Sequence, residues 1–176
     1  DVSLPAKTAS FMMWNEELQK YYETISEENK EYWKNINVKL DNAKSLYIHE
    51  ENENEAEEYR FTLDKNISNK LINEVNNTYG TRINEVLLTA LGLAACEIAD
   101  GSVGIIVENH GRAELHQPIA IERTVGWFTS CYPIVIDNNN NIADVLINTK
   151  ETLRRIPKNG IDYLLLSEGF HKNTDI

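Results

Sequence analysis

A short apolar run that ends abruptly in polar side chains constrains this chain most. Residues 103–107 read Val-Gly-Ile-Ile-Val, and Glu-Asn-His-Gly-Arg follows at 108–112. Such a run predicts a buried central strand, whose end presents side chains from a rigid platform. Glu108, His110 and Arg112 stand there together, and Gly111 lets the backbone bend between them. A carboxylate at that place is partly withdrawn from water, which suits proton transfer near neutral pH.

The same residues also have a purely structural interpretation. Glu108 and Arg112 can pair with each other, or with Glu122 and Arg123 further along the chain. A single histidine such as His110 is more often a hydrogen-bonded structural residue than a catalyst. The pattern of residues alone leaves both interpretations open.

The first part of the chain predicts two aromatic-rich helices. Apolar residues recur every three or four positions over 10–25, and Ser26 can cap a second helix whose apolar face includes Trp33. Six glutamates then fall within residues 50–58, which indicates a solvated loop or, alternatively, a docking surface for a basic partner. The alternation of apolar and polar residues at 59–63 predicts a half-buried strand.

The rest of the chain predicts alternating helices and strands. One helix ends at Gly80, and Thr81 can cap a second helix, over 81–98, that is apolar nearly all round and therefore buried. A second strand at 132–136 leads to a helix that Asn141 caps and Pro157 ends. The segment 161–166 is a short strand or helix. This order of elements indicates an α/β or α+β class.

The residues at 123–133 follow neither a helix nor a strand period. They read Arg-Thr-Val-Gly-Trp-Phe-Thr-Ser-Cys-Tyr-Pro. This mixture of aromatic and hydroxyl side chains can line an apolar tunnel, as ligand sites do. Alternatively it forms a corner of the core in which Trp127 and Phe128 pack. Cys131 is a conceivable nucleophile, although a small core filler fits better because nothing nearby lowers a thiol pKa.

Composition excludes several classes of protein. The 176 residues include 17 basic and 28 acidic ones, a net charge of −11, which argues against nucleic-acid binding. No apolar run reaches the ~18 residues of a membrane span. Two cysteines, Cys96 and Cys131, build no disulfide framework and suit a reducing cytoplasm. No cluster has metal-ligand spacing. The start without Met leads us to expect a piece of a longer protein.

Four segments resemble ordered motifs of nonribosomal peptide synthetase epimerization domains. Residues 108–112 resemble the Glu-Gly-His-Gly-Arg-Glu motif, and residues 123–133 match Arg-Thr-Val-Gly-Trp-Phe-Thr-x-x-Tyr-Pro at every fixed position. Residues 84–92 are similar to Asp-x-x-Leu-Leu-x-Ala-x-Gly, and 154–163 to Arg-Arg-x-Pro-x-x-Gly-x-Gly-Tyr. Residues 4–11 look like the stretch that joins the two lobes of such domains.

The resemblance implies a fold and a division of the chain. Epimerization and condensation domains resemble chloramphenicol acetyltransferase, with two α/β lobes, each a mixed sheet with packed helices, and an active site between them. This chain is similar to the C-terminal lobe. Residues 1–45 would be the inter-lobe connection and bridging helices, 46–58 an acidic loop, and 59–176 the lobe, incomplete at its C-terminus.

The resemblance also implies chemistry. Such domains invert the Cα of an aminoacyl or peptidyl thioester carried on the phosphopantetheine of a peptidyl carrier protein, with no metal and no directly bound cofactor. Inversion suggests two acid/base groups on opposite sides of the substrate. Glu108 is the candidate on this lobe, and the N-terminal lobe would supply a histidine. The supporting residues around the substrate channel would be His110, Arg112, Arg123, Thr129 and Tyr132.

The departures from the motifs keep other functions open. Asn109 and Asp162 stand where the family has glycines, and Ala113 where it has a glutamate. The sequence holds no His-His pair, so we expect the chain to be inactive alone. A condensation lobe, which forms peptide bonds, and a noncatalytic lobe that binds a carrier protein remain alternatives. The retained Glu108 favours epimerization.

Overall fold

The computed structural model describes residues 5–44, 46, 58–115, 117–139 and 141–167. By their contacts these residues fall into two compact units: those that lie within 1–38, 106–133 and 156–176 form one, and those that lie within 39–105 and 134–155 form the other. A π-helical segment (Lys70–Val75) and a 3₁₀ turn (Pro157–Gly160) accompany the regular elements. Those elements are, in chain order, α1 (Phe11–Glu23), α2 (Glu27–Asn42), α3 (Lys65–Asn69), α4 (Asn76–Tyr79), α5 (Ile83–Ala99), β1 (Val103–His110), β2 (Thr129–Ile136), α6 (Ile142–Arg155) and α7 (Ile161–Leu166).

Serine caps begin the two N-terminal helices: the Ser26 cap is the one that the sequence predicts, whereas Ser10, expected inside the first helix, is its cap. The Ser10 hydroxyl accepts a hydrogen bond from the Met13 amide at 3.2 Å, and Ser26 accepts from the Asn29 amide at 3.2 Å. Each bond satisfies an amide that the first helical turn leaves unpaired. The predicted apolar face of α1 is confirmed by the burial of Trp14. The buried residues of α2 are Trp33 and Ile36.

A buried carboxyl group ties α7 to the first two helices. Asp162 is fully buried near the start of α7. The Tyr21 hydroxyl donates to its Oδ1 at 2.8 Å, and the Asn29 amide donates to its Oδ2 at 2.7 Å. Burial raises the pKa of Asp162, and these two hydrogen bonds oppose that rise. The segment 161–166, for which the sequence allows a strand or a helix, is helical.

We expect Asp162→Asn to gain stability relative to the wild type as pH rises from about 3 to 7. Because burial raises the folded-state pKa of Asp162, the folded protein holds this proton more tightly than the unfolded chain. The stabilising contribution is therefore present at low pH and is lost as pH rises through the folded-state pKa. The drift amounts to about 1.4 kcal/mol per unit of raised pKa. Urea unfolding of both proteins across this range measures it.

A second variant sharpens the measurement. Tyr21→Phe removes one of the two hydrogen bonds that favour the carboxylate, so it should make the loss of stability with pH steeper. A difference in unfolding free energy between wild type and Asp162→Asn that stays constant with pH would contradict the assignment.

In the second unit, the helical residues that start at Lys65 end at Gly80, a glycine with a left-handed conformation. α3, the π-helical segment and α4 follow one another without interruption, and Gly80 closes them at φ 59°. This confirms the predicted end of the helix. The sequence predicts that Thr81 caps α5, and this prediction is wrong. Arg82 holds that position because the Glu85 carboxylate accepts its amide hydrogen bond at 2.8 Å.

The prediction that α5 is buried nearly all round is wrong. Its inner side packs on α6, and a side chain at Gly92 would lie 2.3 Å from the Ile136 side chain. The opposite side, which carries Leu87, Leu91 and Ile98, is exposed. A helix can bury only the sides that neighbouring elements cover, and α6 and β2 cover one side of α5.

The strand predicted at 59–63 is also wrong. Residues 58–64 have no regular secondary structure, and Phe61 is 88% exposed. Alternation sets only the spacing of side chains, whereas a strand requires backbone hydrogen bonds to a neighbour. Within the described ranges the sheet consists of β1 and β2. The predicted acidic loop at 46–58 lies, apart from Leu46 and Glu58, outside the described residues.

β1 and β2 form an antiparallel pair with one buried and one more open face. Burial alternates along β1, so the expectation of a fully buried central strand is wrong. In β2 the residues Ser130, Tyr132, Ile134 and Ile136 are buried. Successive side chains of a strand point to opposite faces, so Thr129 shares the more open face. The strands predicted at 103–107 and 132–136 are confirmed, and each is longer than expected.

The predicted caps of α6 are observed. The Asn141 side chain accepts the amide hydrogen bond of Ala143 at 3.0 Å, and α6 ends two residues before Pro157. Lys158, Asn159 and Gly160 then have positive φ values of 45°, 54° and 82°. Across the part of the chain that the structure describes, no helix is long and apolar enough to span a membrane.

Candidate functional site

The open face of β1 carries the candidate acid/base residue. Glu108 and His110 lie two positions apart on this face, and both are exposed. The expectation that Glu108 follows the strand and is partly withdrawn from water is wrong, because β1 continues through His110. The Glu108 carboxylate instead projects into solvent from a position near the end of β1. It is therefore accessible to a substrate or to another protein surface.

Arg112 does not pair with Glu108. Its guanidinium donates to the backbone carbonyls of Ile121 and Thr124, the latter at 2.9 Å, and lies 3.9 Å from the centre of the Phe128 ring. The structural alternative that pairs these two side chains is therefore wrong. Among the described residues no cation forms an ion pair with Glu108. Arg112 acts as a brace that holds the loop before β2.

Gly111 permits a close approach of the two sequence motifs. Its amide donates to the Phe128 carbonyl at 2.5 Å, and an added Cβ would lie 2.1 Å from the same oxygen. Any larger residue would force these backbones apart. The glycine therefore fixes the stretch 123–133 beside the end of β1.

The stretch 123–133 contributes both to the core and to the surface. Phe128 is 7% exposed and packs edge-to-face on Phe11 and Trp14, with ring centres 5.1 and 5.9 Å apart. Trp127 is 80% exposed, and Val125 is 97% exposed. The core-corner interpretation thus holds for Phe128, while Trp127 extends along an accessible surface.

Arg123 and Thr124 hold the N-terminal segment. The Arg123 guanidinium donates to the Ala6 carbonyl, and the Thr124 hydroxyl donates to the Ala9 carbonyl at 2.6 Å. The structure therefore places Arg123 against the residues before α1. It does not bring this side chain together with Glu108.

Tyr132 lies on the buried face of the sheet, opposite to Glu108 and His110. Burial raises the pKa of Tyr132, and a hydrogen bond with the Asn109 side chain opposes that rise. The ring centre of Tyr132 lies 6.2 Å from that of Trp33. Tyr132 therefore supports the strand from behind. Of the predicted residues, Thr129 is the one from β2 that shares the side of Glu108.

Two neighbouring cavities lie in the first unit. The larger, of about 380 Å³, is lined by α1, α7, Gly111 and residues 127–130. The smaller, of about 310 Å³, includes His110, Arg112 and Gly126. Both share Trp127, Phe128 and Thr129 as a common wall. The lining residues of α1 and α7 were not among the predicted site residues, although the aromatic side chains at 11 and 14 were a signal for them.

Comparison with known proteins identifies the family. A family model described as a condensation domain matches residues 1–175. The chain is 41% identical over 171 residues to gramicidin S synthase 1 from Brevibacillus brevis, and 34% identical over 174 residues to tyrocidine synthase 1 from Brevibacillus parabrevis. These matches cover 92% and 94% of this chain. The chain belongs to the condensation domain family of nonribosomal peptide synthetases.

A solved structure supports the fold. The epimerization domain from the third module of tyrocidine synthetase B matches with a TM-score of 0.71 and 35% identity. The match covers 94% of this chain and 38% of that one. The predicted α/β class, one lobe of a chloramphenicol-acetyltransferase-like fold, is confirmed. This chain spans 15% and 16% of the two synthases.

Proposed function

We propose that this chain is the C-terminal lobe of an epimerization domain, with Glu108 as one of its two acid/base groups. The observation that carries the proposal is the exposed Glu108 carboxylate on the open face of β1, within its motif, which forms no ion pair with any residue that the structure describes. A thioester acidifies the Cα–H of the acyl group. One group removes this proton from one side of the Cα, and a second delivers a proton to the opposite side.

The second acid/base group would come from an N-terminal lobe. The sequence of this chain contains no adjacent histidine pair. Trp127, which lines a cavity together with His110, and Val125, two residues before it, are large apolar residues in solvent. Exposed apolar clusters of this kind typically mark a protein interface. We propose that the N-terminal lobe covers them and completes the site, and that a peptidyl carrier protein delivers the substrate on its phosphopantetheine arm.

Solvent exchange tests this function. The chain, joined to its N-terminal lobe, is supplied with a carrier protein loaded with an L-aminoacyl thioester in deuterated water. We expect deuterium at the Cα and a mixture of L and D products, measured by mass spectrometry and chiral chromatography after release. Because the two acid/base groups lie on different lobes, the 176-residue chain alone should produce neither. Inversion by this chain alone would contradict a divided site.

A condensation lobe is the second candidate. The matching family model is described as a condensation domain, and Asn109 and Ala113 depart from the epimerization motif beside Glu108. The same joined protein, offered donor and acceptor carrier proteins, distinguishes the two. A new amide bond without Cα exchange would favour condensation, whereas exchange without amide formation would favour epimerization.

A further inference from the structure

The larger cavity has the walls of an apolar side-chain pocket. It lies within the first unit, between α1 on one side and α7 on the other, and has a volume of about 380 Å³. For comparison, a cavity of about 150 Å³ already accommodates benzene. Its apolar walls are formed by Trp14, Leu18, Trp127, Phe128, Leu164 and Leu165.

The chemistry of the lining favours an uncharged ligand. None of the described side chains that line the cavity is ionisable. Of the polar ones, Ser130 already donates its hydroxyl hydrogen bond to the Asn159 carbonyl at 2.6 Å. A charged group placed here would meet no described side chain of opposite charge, whereas an apolar group would gain by leaving water.

The cavity adjoins the candidate catalytic face. Gly111, three residues after Glu108, lines it. Its wall of Trp127, Phe128 and Thr129 also bounds the smaller cavity, which His110 lines. His110 shares the open face of β1 with Glu108. Glu108 itself lines neither cavity, so the side chain of a substrate whose Cα lies beside Glu108 would reach the larger cavity past His110 and this wall.

We propose that this cavity receives the side chain of the aminoacyl group and selects a large apolar one, branched aliphatic or aromatic. The proposal rests on the proposed function for the identity of the ligand. The pocket itself is defined by side chains of this chain alone, so its binding can be measured without turnover.

Direct binding tests the pocket. The 176-residue chain is titrated with N-acetylcysteamine thioesters of N-acetylated L-phenylalanine, L-leucine, L-alanine and L-aspartate, and tryptophan fluorescence reports binding because Trp14 and Trp127 line the cavity. Burial of the larger side chain should make the phenylalanyl and leucyl thioesters bind at least about tenfold more tightly than the alanyl one. The aspartyl thioester should bind most weakly. Equal affinity for all four would overturn the proposal.

Two substitutions locate the binding. Leu18→Phe fills the cavity from α1 and should weaken binding of the phenylalanyl thioester by about fivefold or more. Met12→Phe, on the same helix but outside the lining, is the matched control and should change it less than twofold. If Leu18→Phe fails to fold, Leu164→Phe on the more exposed α7 position serves the same purpose. An unchanged affinity in a folded cavity-filling variant would overturn the proposal.

The outcomes separate this inference from the proposed function. Selective binding without Cα exchange in the joined protein would support the side-chain pocket and contradict the proposed epimerase function. Cα exchange that proceeds equally well with alanyl and phenylalanyl groups, together with no selective binding, removes the pocket and leaves the epimerase.

Discussion

Replacing Glu108 with glutamine is expected to slow Cα–H exchange by about 10²- to 10⁴-fold in the chain joined to its N-terminal lobe. Glutamine keeps the size of the side chain but cannot accept or return a proton at neutral pH. Because Glu108 is exposed and unpaired among the described residues, the substitution should leave stability nearly unchanged. Deuterium incorporation at the Cα of a carrier-bound aminoacyl group measures the rate.

The control for Glu108 is another exposed glutamate. Glu97→Gln removes the same charge from the surface of α5 and should leave the exchange rate within about twofold of the wild type. A Glu108→Gln protein that exchanges at the wild-type rate would show that this carboxylate takes no part in proton transfer. Unfolding curves for both variants separate a chemical loss from a structural one.

Gly160→Ala should be the most destabilising single methyl addition, with a loss of about 3–5 kcal/mol. Gly160 has φ 82°, a conformation that costs an L-residue about 1–2 kcal/mol. Its new Cβ would also lie 1.8 Å from a ring carbon of Tyr132, which is buried against Trp33. The ring has to move, and a packed core resists such movement. Chemical denaturation measures the free energy of unfolding.

Gly80 offers a matched comparison. It has φ 59°, and an added Cβ there would meet nothing within 4 Å. Gly80→Ala should therefore cost only the conformational part, about 1 kcal/mol. In a Tyr132→Ala background, Gly160→Ala should destabilise the protein much less, because the new Cβ no longer overlaps the Tyr132 ring. If Gly160→Ala and Gly80→Ala lower the free energy of unfolding equally in the wild-type background, the overlap with Tyr132 does not contribute to the destabilisation.

Local signals in the sequence predicted much of the fold. Ser26 and Asn141 cap the helices that they were expected to cap, because capping requires only a short polar side chain beside the first turn. Gly80 ends its helix because a left-handed residue is needed there. These features depend on neighbours within four residues, which a single sequence displays directly.

Signals that depend on distant partners failed. The alternation at 59–63 predicted a strand, and the apolar composition of α5 predicted burial on all sides. Each inference assumed a covering element, and the described structure supplies one for only part of α5. The Asp162 network likewise joins residues more than 130 positions apart, so no local pattern could reveal it.

The candidate site was predicted in part. The motifs placed Glu108 and His110, which the structure brings to one face of β1. The resemblance to epimerization domains also implied that Arg112, Arg123 and Tyr132 support the substrate channel. The structure instead directs Arg112 and Arg123 to backbone carbonyls and Tyr132 to the buried face.

The two faces of the β1–β2 pair have separate roles, one in packing and one in presenting side chains, and protein engineers can use this separation. Ser130, Tyr132 and Ile134 keep the pair attached to its core, whereas Glu108, His110 and Thr129 point away from that core. A combinatorial library confined to the outward positions would vary the chemistry and leave the scaffold intact. If the proposed function holds, such a library would alter the acid/base groups without redesigning the fold.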